Sequence, residues 1–109
     1  MHTLAFYEEP SEGIDVDSEL AELETNRLTD VHTMLRKANA VLKTRGGDIY
    51  DSHPWGTLYR LESNGCFAFL RHAPQATNQW MLLMCGLWFR DPSTQLSEVS
   101  RRFERSKDM

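Results

Sequence analysis

Asn64-Gly65 is the feature that most narrows what this chain can become. The dipeptide tolerates the positive φ angles of a two-residue hairpin turn, and such a turn joins two antiparallel strands in one register. Strands over Thr57–Glu62 and Cys66–His72 then pair Leu61 with Ala68, Arg60 with Phe69, Tyr59 with Leu70 and Leu58 with Arg71. Side chains alternate across a strand. One face therefore carries Tyr59, Leu61, Cys66, Ala68 and Leu70, a core face. The other carries Arg60, Glu62, Phe67, Phe69 and Arg71, a mixture of rings and charges.

The segments around this hairpin complete an α+β plan. Trp80–Phe89 is a continuous apolar run, which reads as a strand covered on both faces. Gly86 within it suggests a bulge or a close backbone approach. Residues 48–56 contain Pro54 and Gly56 and read as a connection. Upstream, Asp17-Ser18 supplies an N-cap, and Leu20, Leu23, Leu28, Val31, Met34/Leu35, Ala38 and Val41/Leu42 recur at helical steps until Gly46-Gly47. An unbroken helix there would be about 40 Å long. The polar Glu24–Arg27 stretch and a second cap at Thr29-Asp30 divide it into a helical hairpin. Asp91-Pro92-Ser93-Thr94 opens a last helix with Leu96, Val99 and Phe103 on its apolar stripe. Leu4–Tyr7 is either an edge strand or a docking tail at the start of an acidic N-terminal arm, residues 1–17. The expected fold is a single α+β domain over 1–109: helical hairpin, three-stranded antiparallel meander, C-terminal helix, and a place for an N-terminal edge strand.

Charge is unevenly distributed. The 109 residues carry a formal −4, which taken whole argues against nucleic acid. Residues 1–30, however, hold nine carboxylates and one arginine, while 31–109 hold seven carboxylates and eleven bases, a net of +4. An acidic segment precedes a basic body. Two cysteines cannot build a disulfide framework, no secretory leader is visible, and the longest apolar run is half a membrane span, so a cytoplasmic protein without membrane contact is expected. His2, His32, His53 and His72 share no ligand spacing, and Cys66, His72 and Cys85 form an incomplete zinc set. With no glycine-rich phosphate loop either, neither metal nor cofactor is expected.

Three groups of residues could carry function. Arg60 and Arg71 flank Phe67 and Phe69, and Arg90 follows Trp88; guanidinium groups grip phosphates while rings stack on bases, so this face suits RNA. The plainer alternative packs Phe67 and Phe69 under a helix or a partner chain, with the arginines as rims. Arg101 and Arg102 add positive charge, although interleaved Glu98 and Glu104 also make that helix face self-paired. Asp15, Asp17, Glu19, Glu22 and Glu24 form an acidic stretch that could engage a basic partner or mimic phosphates. Trp80, Trp88 and Phe89 would make the surface of a homodimer.

Leu58-Tyr59-Arg60-Leu61-Glu62-Ser63-Asn64-Gly65, the strand ending Gly86-Leu87-Trp88-Phe89-Arg90, Pro92 and Ser97-Glu98-Val99-Ser100-Arg101-Arg102 together resemble the RelE/ParE toxin superfamily of type II toxin–antitoxin systems, particularly its HigB-like members. The resemblance covers about residues 18–106. It implies a toxin that cleaves mRNA on the ribosome or poisons DNA gyrase and is silenced by an antitoxin protein. It further implies Arg60 and Arg90 as the cationic catalytic pair of a ribonuclease, with His53, His72 or Tyr59 nearest for proton transfer. The other class of function is non-enzymatic: a phage or mobile-element inhibitor that binds a host protein through the acidic helix and the aromatic-basic sheet face.

Overall fold

The computed structural model describes residues 3–44, 48–72 and 79–108. Strand β1 (Thr3–Phe6) leads into two two-residue strands, β2 (Glu8–Glu9) and β3 (Ile14–Asp15), on either side of a tight turn at Pro10–Glu12. Helix α1 (Val16–Thr44) follows, then β4 (Asp48–His53), β5 (Gly56–Ser63), β6 (Cys66–His72), β7 (Gln79–Leu87) and helix α2 (Ser93–Arg105). Five strands form one sheet in the order β1-β7-β6-β5-β4. Its pairs are antiparallel except β1 with β7, which are parallel. Among the described residues, no helix is long and apolar enough to cross a membrane.

The hairpin register is the one its turn dictates. Leu61 faces Ala68, Arg60 faces Phe69, and Ser63 closes on Cys66. Asn64 and Gly65 both have positive φ, 49° and 86°, as this turn requires.

Two expectations need correction. The helical hairpin is one kinked helix: Arg27 alone leaves helical geometry, at φ −142° and ψ 44°. The break falls inside the polar Glu24–Arg27 stretch, but one non-helical residue can only bend an axis, whereas reversing it takes a connection of about 2–8 residues. Both halves lie on the same sheet face, with Leu20, Val31 and Met34 against Leu4, Leu61, Ala68, Leu70 and Leu82. The meander is also not three-stranded. Residues 48–53, expected as connection, form β4, and β1 adds a parallel edge. All six β4 side chains are exposed, so no alternation of apolar and polar residues marks the strand. The side chains of Leu35, Ala38, Val41 and Leu42, the Gly46-Gly47 stop and the 74–78 loop lie outside the described residues.

The acidic N-terminal segment is built into the body. Tyr7 and Val16 are fully buried. The Tyr7 amide donates to the Leu82 carbonyl, Val16 donates to the Tyr7 carbonyl, and the Tyr7 hydroxyl donates to the Glu9 carboxylate, which also accepts from Arg105 of α2.

The sheet is covered on its second face as well. The antiparallel ladder runs one residue past β7, with the Trp88 amide donating to the Gly65 carbonyl. The Trp88 ring then lies on Phe67 at 4.3 Å between centroids and meets Phe69 edge-on. Further along, Phe103 of α2 packs on Trp55 at 4.5 Å. Burial of each such ring contributes about 1.5–3 kcal/mol, so this second layer is as much core as the first.

Candidate functional site

The aromatic side chains offered for base stacking have no surface to offer. Phe67 and Phe69 are both 0% exposed, roofed by Trp88 and, for Phe69, by the edge of Tyr50. Arg71 is buried between them and the end of α2, where it donates to the Ser106 carbonyl. Trp80 is buried against Tyr59 and His72, Trp88 is half-buried, and Phe89 points outward, so these three do not form one surface. The plainer alternative, rings packed under covering structure, describes what is seen.

The arginines are largely engaged within the fold. Arg102 is buried and donates from Nη1 and Nη2 to Glu19 (3.1 and 2.9 Å), from Nε to Glu98 (2.9 Å) and from Nη1 to the Leu83 carbonyl (2.9 Å). Arg101 makes a two-toothed pair with Glu98, and its bonds hold that carboxyl below the ordinary range. Arg105 pairs with Glu9, and Lys107 with Glu104. Arg60 is half-exposed beside Glu62 at 3.4 Å. Arg90 is exposed and, among the described residues, has no ion pair. Arg60 and Arg90 are not brought together: β6 separates β5 from β7, and Arg90 lies three residues past the end of β7. Of the three side chains nearest for proton transfer, Tyr59 and His72 are buried and His53 is exposed beside Asp51.

The acidic residues are differently placed. Asp15, at the end of β3, accepts from the Ser18 hydroxyl, and Asp17 is exposed at the start of α1. Glu19 is held by Arg102, whereas Glu22 is exposed and, among the described residues, makes no hydrogen bond or ion pair. Glu24 is half-buried one turn on.

Glu19 and Glu22 form one rim of a groove that the sequence reading missed. It has a volume of about 320 Å³. Leu23 and Asn26 continue the α1 wall; Met84, Cys85, Gly86 and Leu87 of β7 make the floor; Phe89 and Gln95 close the far side. Phe89 is 62% and Leu87 40% exposed. Gly86 lies over the Phe67 ring, where a Cβ would make ordinary contact at 3.5 Å. Burial, with Glu19 nearby, pushes the Cys85 thiol up to about 12, so it is an inert floor residue and not a nucleophile. Among the described residues, no cluster of three His, Cys, Asp or Glu side chains is placed to hold a metal ion.

The groove exists because β1 is short. It pairs with β7 only from Gln79 to Leu82, which leaves Leu83–Leu87 without a described strand on the edge away from β6. The missing signal was one of lengths: a four-residue apolar run at the N-terminus cannot flank a strand of nine residues. The chain finds no match among family models, curated proteins or solved structures.

Proposed function

We propose that this chain is a non-enzymatic protein-binding module of the cytoplasm, and that its contact site is the groove between α1 and β7. The observation that carries this is the groove's composition: apolar Leu23, Met84, Leu87 and Phe89 beside the carboxylate of Glu22, which is unpaired among the described residues, none of whose lysines or arginines lines the groove. Exposed rings and aliphatic side chains gathered beside a charged rim are what a protein interface needs, a core that excludes water and an edge that selects charge. The partner's contact segment is apolar and basic. Free Cys66 and Cys85 accord with a reducing compartment.

The RNA-directed alternative has less behind it. Catalysis on RNA needs cationic groups gathered at the scissile phosphate, and here Arg71, Arg101, Arg102 and Arg105 are engaged by internal acceptors while Arg60 and Arg90 stand apart.

The test is site-specific photo-crosslinking in the cells that make the protein, with a benzophenone side chain in place of Phe89 and, as control, of Asp108. We expect a discrete protein adduct from position 89, absent from 108 and lost when Glu22→Lys is added. Growth arrest on induced expression, abolished by Arg60→Ala with Arg90→Ala, would replace this reading with the toxin one.

A further inference from the structure

The groove is bordered by a strand edge as well as by side chains, and this carries the binding mode further. The Leu83 carbonyl points out of the sheet edge, where Arg102 Nη1 donates to it at 2.9 Å. The Leu87 carbonyl points the same way and accepts from Gln95 Nε2 at 2.8 Å. β7 bulges at Leu83, because Phe69 pairs with Met84 and Leu70 with Leu82; beyond the bulge strand carbonyls alternate in direction with a period of two, so the Cys85 carbonyl, two residues before Leu87, faces this side too. No described strand lies beside it, because the β1 pairing stops at Leu82. Two side chains of α2 thus stand where a neighbouring strand's N–H groups would be, and the position between them faces the groove.

The other edge of the sheet differs. Both edge strands carry a bulge, β4 between Ile49 and Asp51 and β7 at Leu83, but β4 also carries Asp48 and Asp51, charges that discourage a further strand. Leu83-Met84-Cys85-Gly86-Leu87 carries no charge and no proline.

Resting on the protein-binding reading above, we infer that the occupant is an extended segment of the partner protein, laid along the outer edge of β7 at Cys85, between the positions that Arg102 and Gln95 already occupy. One of its backbone N–H groups donates to the Cys85 carbonyl. An apolar side chain lies against Leu87 and Phe89, and a lysine or arginine two residues away on the same face reaches Glu22. Strand addition takes affinity from main-chain hydrogen bonds and specificity from alternate side chains. The charge choice follows from the rim: Glu19 is already neutralised by Arg102, so Glu22 is the carboxylate left to pair.

The full chain is titrated by fluorescence anisotropy with four labelled synthetic peptides. One alternates valine and lysine, one replaces lysine with glutamate, one is the valine–lysine peptide N-methylated at alternate residues, and one is a helix-forming leucine–lysine peptide. The valine–lysine peptide should bind, with the glutamate and N-methylated forms weaker by about tenfold or more, the loss of about 1.4 kcal/mol. Phe89→Ser and Glu22→Lys, both on exposed side chains, should each weaken it about tenfold, and Tyr50→Ser should leave it unchanged. Equal or tighter binding of the helical peptide, or no effect of N-methylation, would overturn strand addition while leaving the groove as a protein-binding site. Binding unaffected by Phe89→Ser and Glu22→Lys would overturn the site itself. Failure of the valine–lysine peptide to bind overturns the inference, and the photo-crosslinking at position 89 then decides the broader reading separately.

Discussion

Replacing Arg102 with alanine separates an arginine that holds the fold from one that waits for a phosphate. Arg102 is 5% exposed and its guanidinium makes four hydrogen bonds, one to Glu98, two to Glu19 and one to the Leu83 carbonyl. Glu98 keeps Arg101 as a partner, so its loss is partial. Glu19 keeps none that is described, and the Leu83 carbonyl loses its donor. Breaking a buried ion pair costs about 3–5 kcal/mol. The Glu19 and Glu98 side chains are 28% and 27% exposed and can be rehydrated in part. The lower end, about 3 kcal/mol, is therefore expected for Arg102→Ala, equivalent to a fall in Tm of about 10–20 °C for a chain of this size. Urea denaturation followed by circular dichroism measures it. A double-mutant cycle with Glu19→Gln should give a coupling of about 1–2 kcal/mol, as residues of one charged network do. A loss below about 1 kcal/mol with coupling below about 0.5 kcal/mol would refute the reasoning, since that is how an ordinary surface arginine behaves.

Other expectations follow from the same packing. Phe67→Ala should cost about 3–5 kcal/mol in the same assay, because a ring buried on all sides leaves a cavity, whereas a solvent-facing stacking ring would cost little. Arg60→Ala should change stability by no more than about 0.5 kcal/mol, since its pair with Glu62 is exposed. Glu98 is lowered first by its hydrogen bonds from Arg101, and Glu9 by those from Tyr7 and Arg105. A carboxyl lowered on folding stabilises the protein above its unfolded pKa. That contribution is lost as pH falls through the folded value, so the urea midpoint should drop below about pH 4.3 and Glu98→Gln should flatten the drop. For Cys85 the sign reverses: a thiol raised to about 12 keeps its proton after the unfolded thiol has lost its own. Stability should therefore decline from about pH 8.5 upward, and Cys85→Ser should reduce that slope, with Cys66 and Tyr7, both also raised by burial, supplying the remainder.

What the sequence disclosed, it disclosed through local rules. Asn64-Gly65 fixed a register that depends on two residues and a parity, and the apolar face of that hairpin followed. The acidic start and the long stripe marked α1, and even the kink at Arg27 lies where polar residues interrupt the stripe. The rest depended on partners distant in sequence. β4 has no periodic signal because its side chains are exposed on both faces; it is a strand because β5 lies beside it. Phe67 and Phe69 are buried by Trp88, which reaches them because the β6–β7 register carries it one residue past the strand, beside Gly65. Arg102 is separated by 83 residues from Glu19, so helix-face pairing with Glu98 was the half of its environment that spacing could reveal. The groove is a property of mismatched strand lengths, visible only once β1 is known to flank β7.

The most direct test of the central claim, that this surface receives a protein segment while the aromatic-basic face is internal, is a pair of amide-resolved NMR titrations of the labelled chain. One uses the valine–lysine peptide and the other a single-stranded RNA oligomer at low salt. We predict that the peptide shifts the Glu22, Cys85, Leu87 and Phe89 amides, while the RNA leaves Arg60, Phe67, Phe69, Arg71 and Arg90 unmoved. Saturable RNA-induced shifts along Arg60, Phe67, Phe69 and Arg71, with a silent groove in the peptide titration, would contradict it.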